Sequence, residues 1–533
     1  MNVVTANPVR TCQRTVVEGF VWLLLVGIVL ETWLLAGLAV PCRVVGDSMA
    51  ETLLGAHREI QCADCGYRFT CGVDPHSARS RAICPNCGYP ANDLLSQPVL
   101  TGDRLLIDRT AFSLRQPRRW EVVALRHPQR ANDILVKRVV GLPGESIEIR
   151  GGDVYVDGQI QRKSLAQQHA MAILVHDANC RPVLEPTAGP RWRADRPKSR
   201  WESIDGGFSH PRDGSNEPID WLVYHHWRRV SSPRPSCPAF PTTTGNKWLT
   251  VCHCFAEAVR GATGWPHTAC AKQWHTVERN VDYVEEPVRD ICGYNQSQPR
   301  REEDIHAVAD LLLSFWLEPV GNGTFFVRAT DGNDVFEVRL HFLGKGPETW
   351  KYEAFHGLKG DSPILADTKI GTVPGEPIPG ASGWVKHADR RFVEVSLIDQ
   401  QFLLALDGRT VVAWPYRRLG FRPSPSPFSV GVQGLEAKIR DLRVFRDVYY
   451  TRPIHAGMNP TVGEPVRLGE DEYFVLGDNS PISDDSRTWP DRGAVIAKLL
   501  LGKPLAAIPS VDVSLWQGWH FQVPNLRRIQ YIQ

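Results

Sequence analysis

Val136-Lys137-Arg138-Val139-Val140-Gly141-Leu142-Pro143-Gly144-Glu145 sets a lysine inside a valine-rich run that closes in a Pro-Gly turn. β-Branched residues in such a run favour a strand, and Pro-Gly ends it. Leu135, Val136, Val139 and Val140 surround Lys137, so its amine is either a solvated outward charge or a desolvated group. Desolvation lowers a lysine pKa and frees a neutral amine to act as a general base near neutral pH. The two-residue alternation of a strand turns Arg138 to the opposite face. The rest of the chain has the same texture. Its 40 Pro and 44 Gly punctuate many short runs, which argues a mainly β architecture over a helix bundle.

With 533 residues the chain has room for about three or four domains. Apolar residues at 42% and charged residues at 23% exclude wholesale disorder. Lys+Arg 61 against Asp+Glu 59 leaves a charge of +2, without the basic excess of a nucleic-acid binder, so no nucleic-acid partner is expected. Near the start, residues 19–40 read GFVWLLLVGIVLETWLLAGLAV with one charge, Glu31. As a helix this run would be about 33 Å long, enough for a hydrocarbon core of about 30 Å. A cleaved signal peptide usually has a shorter apolar core and a small-x-small site, and LAVPC offers none that convinces. The expectation is a retained anchor in a lipid bilayer, with Arg10 and Arg14 favouring a cytoplasmic N-terminus.

Three further blocks accompany the lysine. Val45-Gly46-Asp47-Ser48-Met49-Ala50-Glu51-Thr52 follows the apolar run. Gly102-Asp103-Arg104-Leu105-Leu106-Ile107-Asp108-Arg109 reads as a strand. Gly477-Asp478-Asn479-Ser480-Pro481-Ile482-Ser483-Asp484-Asp485-Ser486-Arg487 lies far downstream. A serine hydroxyl is a poor nucleophile and needs a base, and Ser-Lys pairs are a variant of the Ser-His-Asp logic. Singly, each of these residues is more often structural. Together, in this order behind an apolar anchor, the four blocks resemble those of the bacterial type I signal peptidases. The resemblance covers under a third of the chain.

That resemblance implies a role for each block. Ser48 is the expected nucleophile, Lys137 the base that takes its proton, and Ser483 the hydroxyl that orients the amine. Asp485 and Arg487 match a buried supporting pair, although a plain salt bridge would look the same; Asp478, Asn479 and Arg138 are supporting residues beside them. Two departures stand out. The usual Pro two positions after the Met is Glu51, which frees a backbone dihedral and brings a charge to the cleft. Where some members carry an oxyanion-donating Ser stands Gly46, leaving that task to backbone N–H groups such as that of Ser48. The implied activity is removal of signal peptides from exported preproteins on the outer side of the bacterial cytoplasmic (inner) membrane, beside the secretion translocon, with no cofactor for catalysis. Small side chains before the cut imply shallow pockets, for which Val44, Val45 and Leu105 to Ile107 are the candidates. The alternative is a membrane-tethered binding protein on an inactive peptidase scaffold. A self-cleaving Ser-Lys repressor is disfavoured by the anchor and by the lack of a DNA-reading module.

Two insertions interrupt the blocks. Cys62-Ala-Asp-Cys65-Gly and Cys84-Pro-Asn-Cys87-Gly are paired knuckles suited to tetrahedral zinc; two disulfides remain the other reading outside the cytoplasm. With 13 cysteines, complete pairing is excluded. Cys71 and His76 lie nearby, and Cys252, His253, Cys254, Cys270 and Cys292 lack paired spacing. From residue 324 onward, alternating runs such as Asp334–Phe342 and Gln401–Leu406, with the turn Asp407-Gly408, read as a β-sandwich. Its phrasing resembles the concanavalin A-like (laminin G-like) jelly rolls, which implies a carbohydrate or protein ligand, or a spacer.

The expected organisation is a cytoplasmic N-terminus (1–18), a transmembrane helix (19–40), and catalytic segments at 41–57, 98–165 and 451–510. A zinc-ribbon-like insertion fills 58–97, an irregular insertion 166–302, the β-sandwich 303–450, and a C-terminal tail 511–533. The fold class is thus mainly β, with a signal-peptidase-type catalytic domain assembled from discontinuous segments.

Overall fold

The computed structural model describes residues 8–30, 38–74, 79–130, 132–183, 189–214, 217–229, 283–297, 300–343, 348–358, 375–386, 388–453, 464–515 and 519–532. It is mainly β. One antiparallel sheet runs, in spatial order, through Ala39–Arg43, Arg104–Asp108, Leu500–Ile508, Val122–Arg126, Ile134–Gly141, Glu472–Leu476 and Val495–Ile496. Strands from both ends of the sequence therefore alternate within it. Its two faces bury Leu105, Ile107, Val122 and Ala124 on one side, with Val123, Leu125, Val139 and Val475 on the other. The alternation of the valine-rich runs requires this two-sided burial.

A second, smaller sheet, with Ser146–Arg150 between Asp153–Val156 and Val466–Arg467, carries the exit and return of the large insertion. Gly152 bridges Tyr450 across the same seam. The insertion is a two-sheet sandwich around one core, with Phe315, Phe325, Phe336 and Phe402 all fully buried. Asp407 and Gly408 both adopt positive φ (51° and 73°), as the tight hairpin turn at that dipeptide demands. Lys163, which follows the strand pair Asp153–Val156 and Gln159–Ile160, ties the smaller sheet's side of the chain to the sandwich through Asp399 (2.7 Å) and Asp447 (2.9 Å), lying over the Trp120 ring.

Two expectations need correction. The stretch 166–302 is not irregular throughout: Trp192–Ala194 and Asp220–Tyr224 extend one sandwich sheet, while Ile173–Asp177 and Gly207–His210 pair with Glu436–Arg446 in the other. These strands are short, and partner edges rather than their own periodicity define them. The tail beyond 510 forms a hairpin, Ser510–Leu515 with Trp519–Pro524, and Gln530–Tyr531 then pairs with Leu500–Ile508. Among the described residues no helix is long and apolar enough to cross a membrane, and the expected span lies only partly within them. The helix Pro8–Val29 covers the start of the expected span, residues 31–37 including Glu31 lie outside the described residues, and Ala39 and Val40 already pair with Asp108 and Ile107. His76, Cys252, His253, Cys254 and Cys270 also lie outside the described residues.

Candidate active site

The loop that carries Ser48 is held from both sides. Met49 and Leu53 are buried against Leu105, Ile107 and Val122. Asp103 clamps the loop through three bonds: Val44 N–H donates to its carbonyl (2.8 Å), Leu54 N–H to its carboxylate (2.8 Å), and its own N–H bonds Leu54 O (2.9 Å). A Cβ at Gly102 would meet Val44 O at 2.0 Å, so the Gly-Asp pair is required by this approach. Leu105 and Ile107 are therefore core supports rather than open pocket walls; Val44 is half-buried and Val45 exposed. Gly46 faces open space.

Lys137 sits on Ile134–Gly141 opposite Val123 and is 1% exposed. Its Nζ donates to Ser483 Oγ at 3.2 Å. Burial pushes its pKa down to about 8, against the opposing pull of Asp485 and Asp484. Arg138 does turn to the other face, yet it is buried rather than solvated: it forks onto Asp478 (2.8 and 2.6 Å) and donates to Trp120 O (2.7 Å). Asp478 in turn accepts from Thr52 Oγ1 at 2.6 Å, which ties this ion pair to the serine loop.

The turn 477–487 closes the arrangement. Asp485 and Arg487 form a buried bidentate pair (2.9 and 2.6 Å), and Asp485 also accepts from Gly477 N–H at 2.9 Å. Burial pushes the Asp485 carboxyl up, but Arg487 and Lys137 outweigh it and hold the group below its ordinary value. Asn479 grips the serine loop, its N–H on Ser48 O (3.0 Å) and its Nδ2 on Asp47 O (2.9 Å). A Cβ at Gly477 would lie 2.2 Å from Ser483 Oγ and 2.4 Å from Ser48 O, so the bare backbone lets the Ser48 carbonyl and the Ser483 hydroxyl approach the same residue. Glu51 is exposed as a residue, but its carboxyl lies among packed groups: burial pushes it up, while a bond from Cys292 Sγ (3.3 Å) and the charge of Arg446 oppose the shift.

Cys62, Cys65, Cys84 and Cys87 converge elsewhere, all four Sγ atoms within 4.8 Å of one another. Cys62–Cys87 and Cys65–Cys84 stand at 3.6 and 3.7 Å, far beyond a disulfide bond of about 2.05 Å. A tetrahedron with Zn–S bonds of about 2.3 Å has edges near 3.8 Å, so the donor set fits zinc. Gly66 and Gly88 take matching positive φ (73° and 72°), and each turns its N–H onto the carbonyl of its knuckle's first cysteine.

Sequence reasoning missed Asp103, Thr52, Tyr294 and Asn295. The Gly102-Asp103 block signalled the first; the last two, discussed below, come from the large insertion.

Residues 94–188, under a fifth of the chain, match the family model described as "Signal peptidase, peptidase S26"; the match contains Lys137 and stops short of both Ser48 and Ser483. Signal peptidase I of Leptolyngbya laminosa is 29% identical over 87 residues, 15% of this chain and 42% of that protein. Signal peptidase I V of Bacillus subtilis is 33% identical over 58 residues, 11% of this chain and 33% of that one. The chain thus spans less than half the length of these relatives. Among solved structures, the carbohydrate-binding module CBM66 from Bacillus subtilis aligns with a TM-score of 0.21 at 8% identity, covering 48% of this chain and 94% of that one. A tetrameric galectin from Cinachyrella sp. aligns at 0.17 with 19% identity, covering 25% and 89%.

Proposed function

We propose that the protein is a Ser-Lys endopeptidase that removes signal peptides from exported preproteins. The observation that carries this reading is the buried Lys137 amine on Ser483, meeting the Ser48 loop across the bare Gly477 backbone. A pKa near 8 leaves a usable fraction of neutral amine at working pH. In this reading Ser48 Oγ attacks the scissile carbonyl as its proton passes to Lys137 Nζ. Backbone N–H groups, that of Ser48 among them, receive the oxyanion, since Gly46 offers no hydroxyl. Lys137 then returns the proton to the leaving amine, and an acyl ester on Ser48 remains. Water, deprotonated by Lys137, attacks the ester and restores the serine. Ser483 aims the amine; Asp485–Arg487 and Arg138–Asp478 hold the floor beneath it.

The N-terminal apolar segment would anchor the enzyme in the lipid bilayer with its catalytic part on the outer side, near the secretion translocon. Cys62, Cys65, Cys84 and Cys87 would hold a structural Zn2+ whose chemistry is to cross-link a module too small for its own core. The sandwich would supply a carbohydrate- or protein-binding surface. The test is cleavage of a fluorogenic peptide with an Ala-x-Ala site by full-length protein in detergent, with Ser48→Ala beside it, from pH 6 to 10. Activity that rises with pH and vanishes in the variant supports the reading; an inert wild type overturns it.

A further inference from the structure

The large insertion reaches back to the serine loop. In the segment Cys292–Gln296, Tyr294 Oη donates to Asp47 Oδ1 at 2.6 Å, one residue before Ser48. Two glycines make room for this pair: a Cβ at Gly72 would meet Tyr294 Cε1 at 2.5 Å, and one at Gly55 would meet Asp47 Oδ1 at 2.5 Å. The next residue, Asn295, exchanges two amide bonds with Asn479 (2.5 and 2.8 Å), both side chains being buried. Asn479 is the residue whose N–H and Nδ2 hold the carbonyls of Ser48 and Asp47. Cys292 Sγ bonds Glu51 on the far side of the serine. Gln296 ties the same segment to the cysteine module through Ile83 N–H and O (2.6 and 2.7 Å).

Side-chain links from Cys292, Tyr294 and Asn295 of one segment thus converge on residues 51, 47 and 479 around Ser48. A nucleophile placed about 1 Å off line costs on the order of a hundredfold in rate, and these bonds add to the hold that Asp103 and the buried Met49 and Leu53 already have on the loop. We propose that Tyr294 and Asn295 are positioning residues for Ser48, so that the insertion completes a catalytic wall the peptidase segments do not supply. They act through Asp47 and Asn479 and do not reach the reacting atoms. The inference rests on the peptidase reading for its kinetic consequence but not for its structural one.

The experiment uses the full-length protein with Tyr294→Phe, Asp47→Ala, their double variant and Asn295→Asp. Peptide cleavage and amide exchange over residues 46–52 are read together. Tyr294→Phe keeps the ring and removes only the donor. It should lower kcat about tenfold with KM within about twofold, and speed exchange of 46–52 while Ile134–Gly141 stays protected. The double variant should cost no more than either single one, because both break the same bond. Multiplicative losses, or unchanged loop exchange, would overturn the proposal. General loss of protection in both Tyr294→Phe and Asn295→Asp would overturn it too, by making the segment a mere structural prop. If the wild type cleaves nothing, the peptidase reading falls, and loop exchange alone still decides the positioning claim.

Discussion

Replacing Lys137 with Met keeps the length of the side chain and removes the amine, which separates the cost of the charge from its use. The amine is fully buried and burial holds its pKa at about 8, against about 10.5 in an unfolded chain. The unfolded state therefore binds the proton more tightly, and between these two values stability must rise with pH. Below about pH 8 the full deficit is present, and 1.36 kcal/mol per unit makes it about 3 kcal/mol. Loss of the bond to Ser483 takes back about 1 kcal/mol. The Met variant should thus be about 2 kcal/mol more stable than wild type at pH 7, and that advantage should vanish or reverse near pH 10.5. Urea unfolding at both pH values measures it, and peptide cleavage by the same samples should be lost at every pH, whereas wild-type cleavage rises through about pH 8. A variant that still cleaves, or whose relative stability does not fall as pH rises, would refute the buried-base argument.

Gly477→Ala should abolish cleavage or lower kcat at least about a hundredfold, because its Cβ would stand inside contact distance of both Ser483 Oγ and Ser48 O; steady-state kinetics check this. Gly46→Ser meets open space, so it should fold as wild type and leave kcat equal or raise it up to about tenfold by adding an oxyanion donor; a lowered melting temperature would contradict the geometry. Elemental analysis should find about one zinc per chain, and chelation should expose four thiols to a thiol reagent and lower the melting temperature, whereas metal-free protein with two disulfides would exclude the site. Glu51→Gln should stabilise the protein above the acidic range, because burial raises the native carboxyl's pKa and its ionisation costs stability as pH climbs through that value; thermal melts at pH 5 and 8 read the difference.

The strands that sequence made legible are those whose own alternation carries them. Asp334–Phe342 and Gln401–Leu406 have the bounds that their pattern implies, and the turn at Asp407-Gly408 separates the strands around it. Glu376–Lys386 is long but holds Pro377, Pro379, Gly380 and Gly383, and its pairing with Glu348–Leu358 breaks register twice; nothing in its composition announces a strand. Trp192–Ala194 and Asp220–Tyr224 are likewise defined by the edges they meet. In the site, Ser48, Lys137, Ser483, Asp485 and Arg487 stand in blocks whose order gives them away. Tyr294 was illegible for a different reason: 247 residues separate it from Asp47, in a stretch without periodicity, and only the folded chain brings them together. Asp103 lies in the Gly102–Arg109 block, whose pattern pointed to a strand and not to the clamp it makes on Val44 and Leu54.

The strand Leu500–Ile508 lies in the middle of the catalytic sheet, between Arg104–Asp108 and Val122–Arg126. On the ribosome it is made after every other strand of that sheet except Gln530–Tyr531. Until it emerges those two neighbours each wait with one bare edge, while the sandwich, whose strands all precede residue 447, can already fold. The turn with Ser483 arrives only shortly before it. A growing chain therefore carries Ser48 and Lys137 for more than three hundred residues before Ser483, the hydroxyl that Lys137 meets, has been made, so that under the proposed function cleavage waits for this downstream segment.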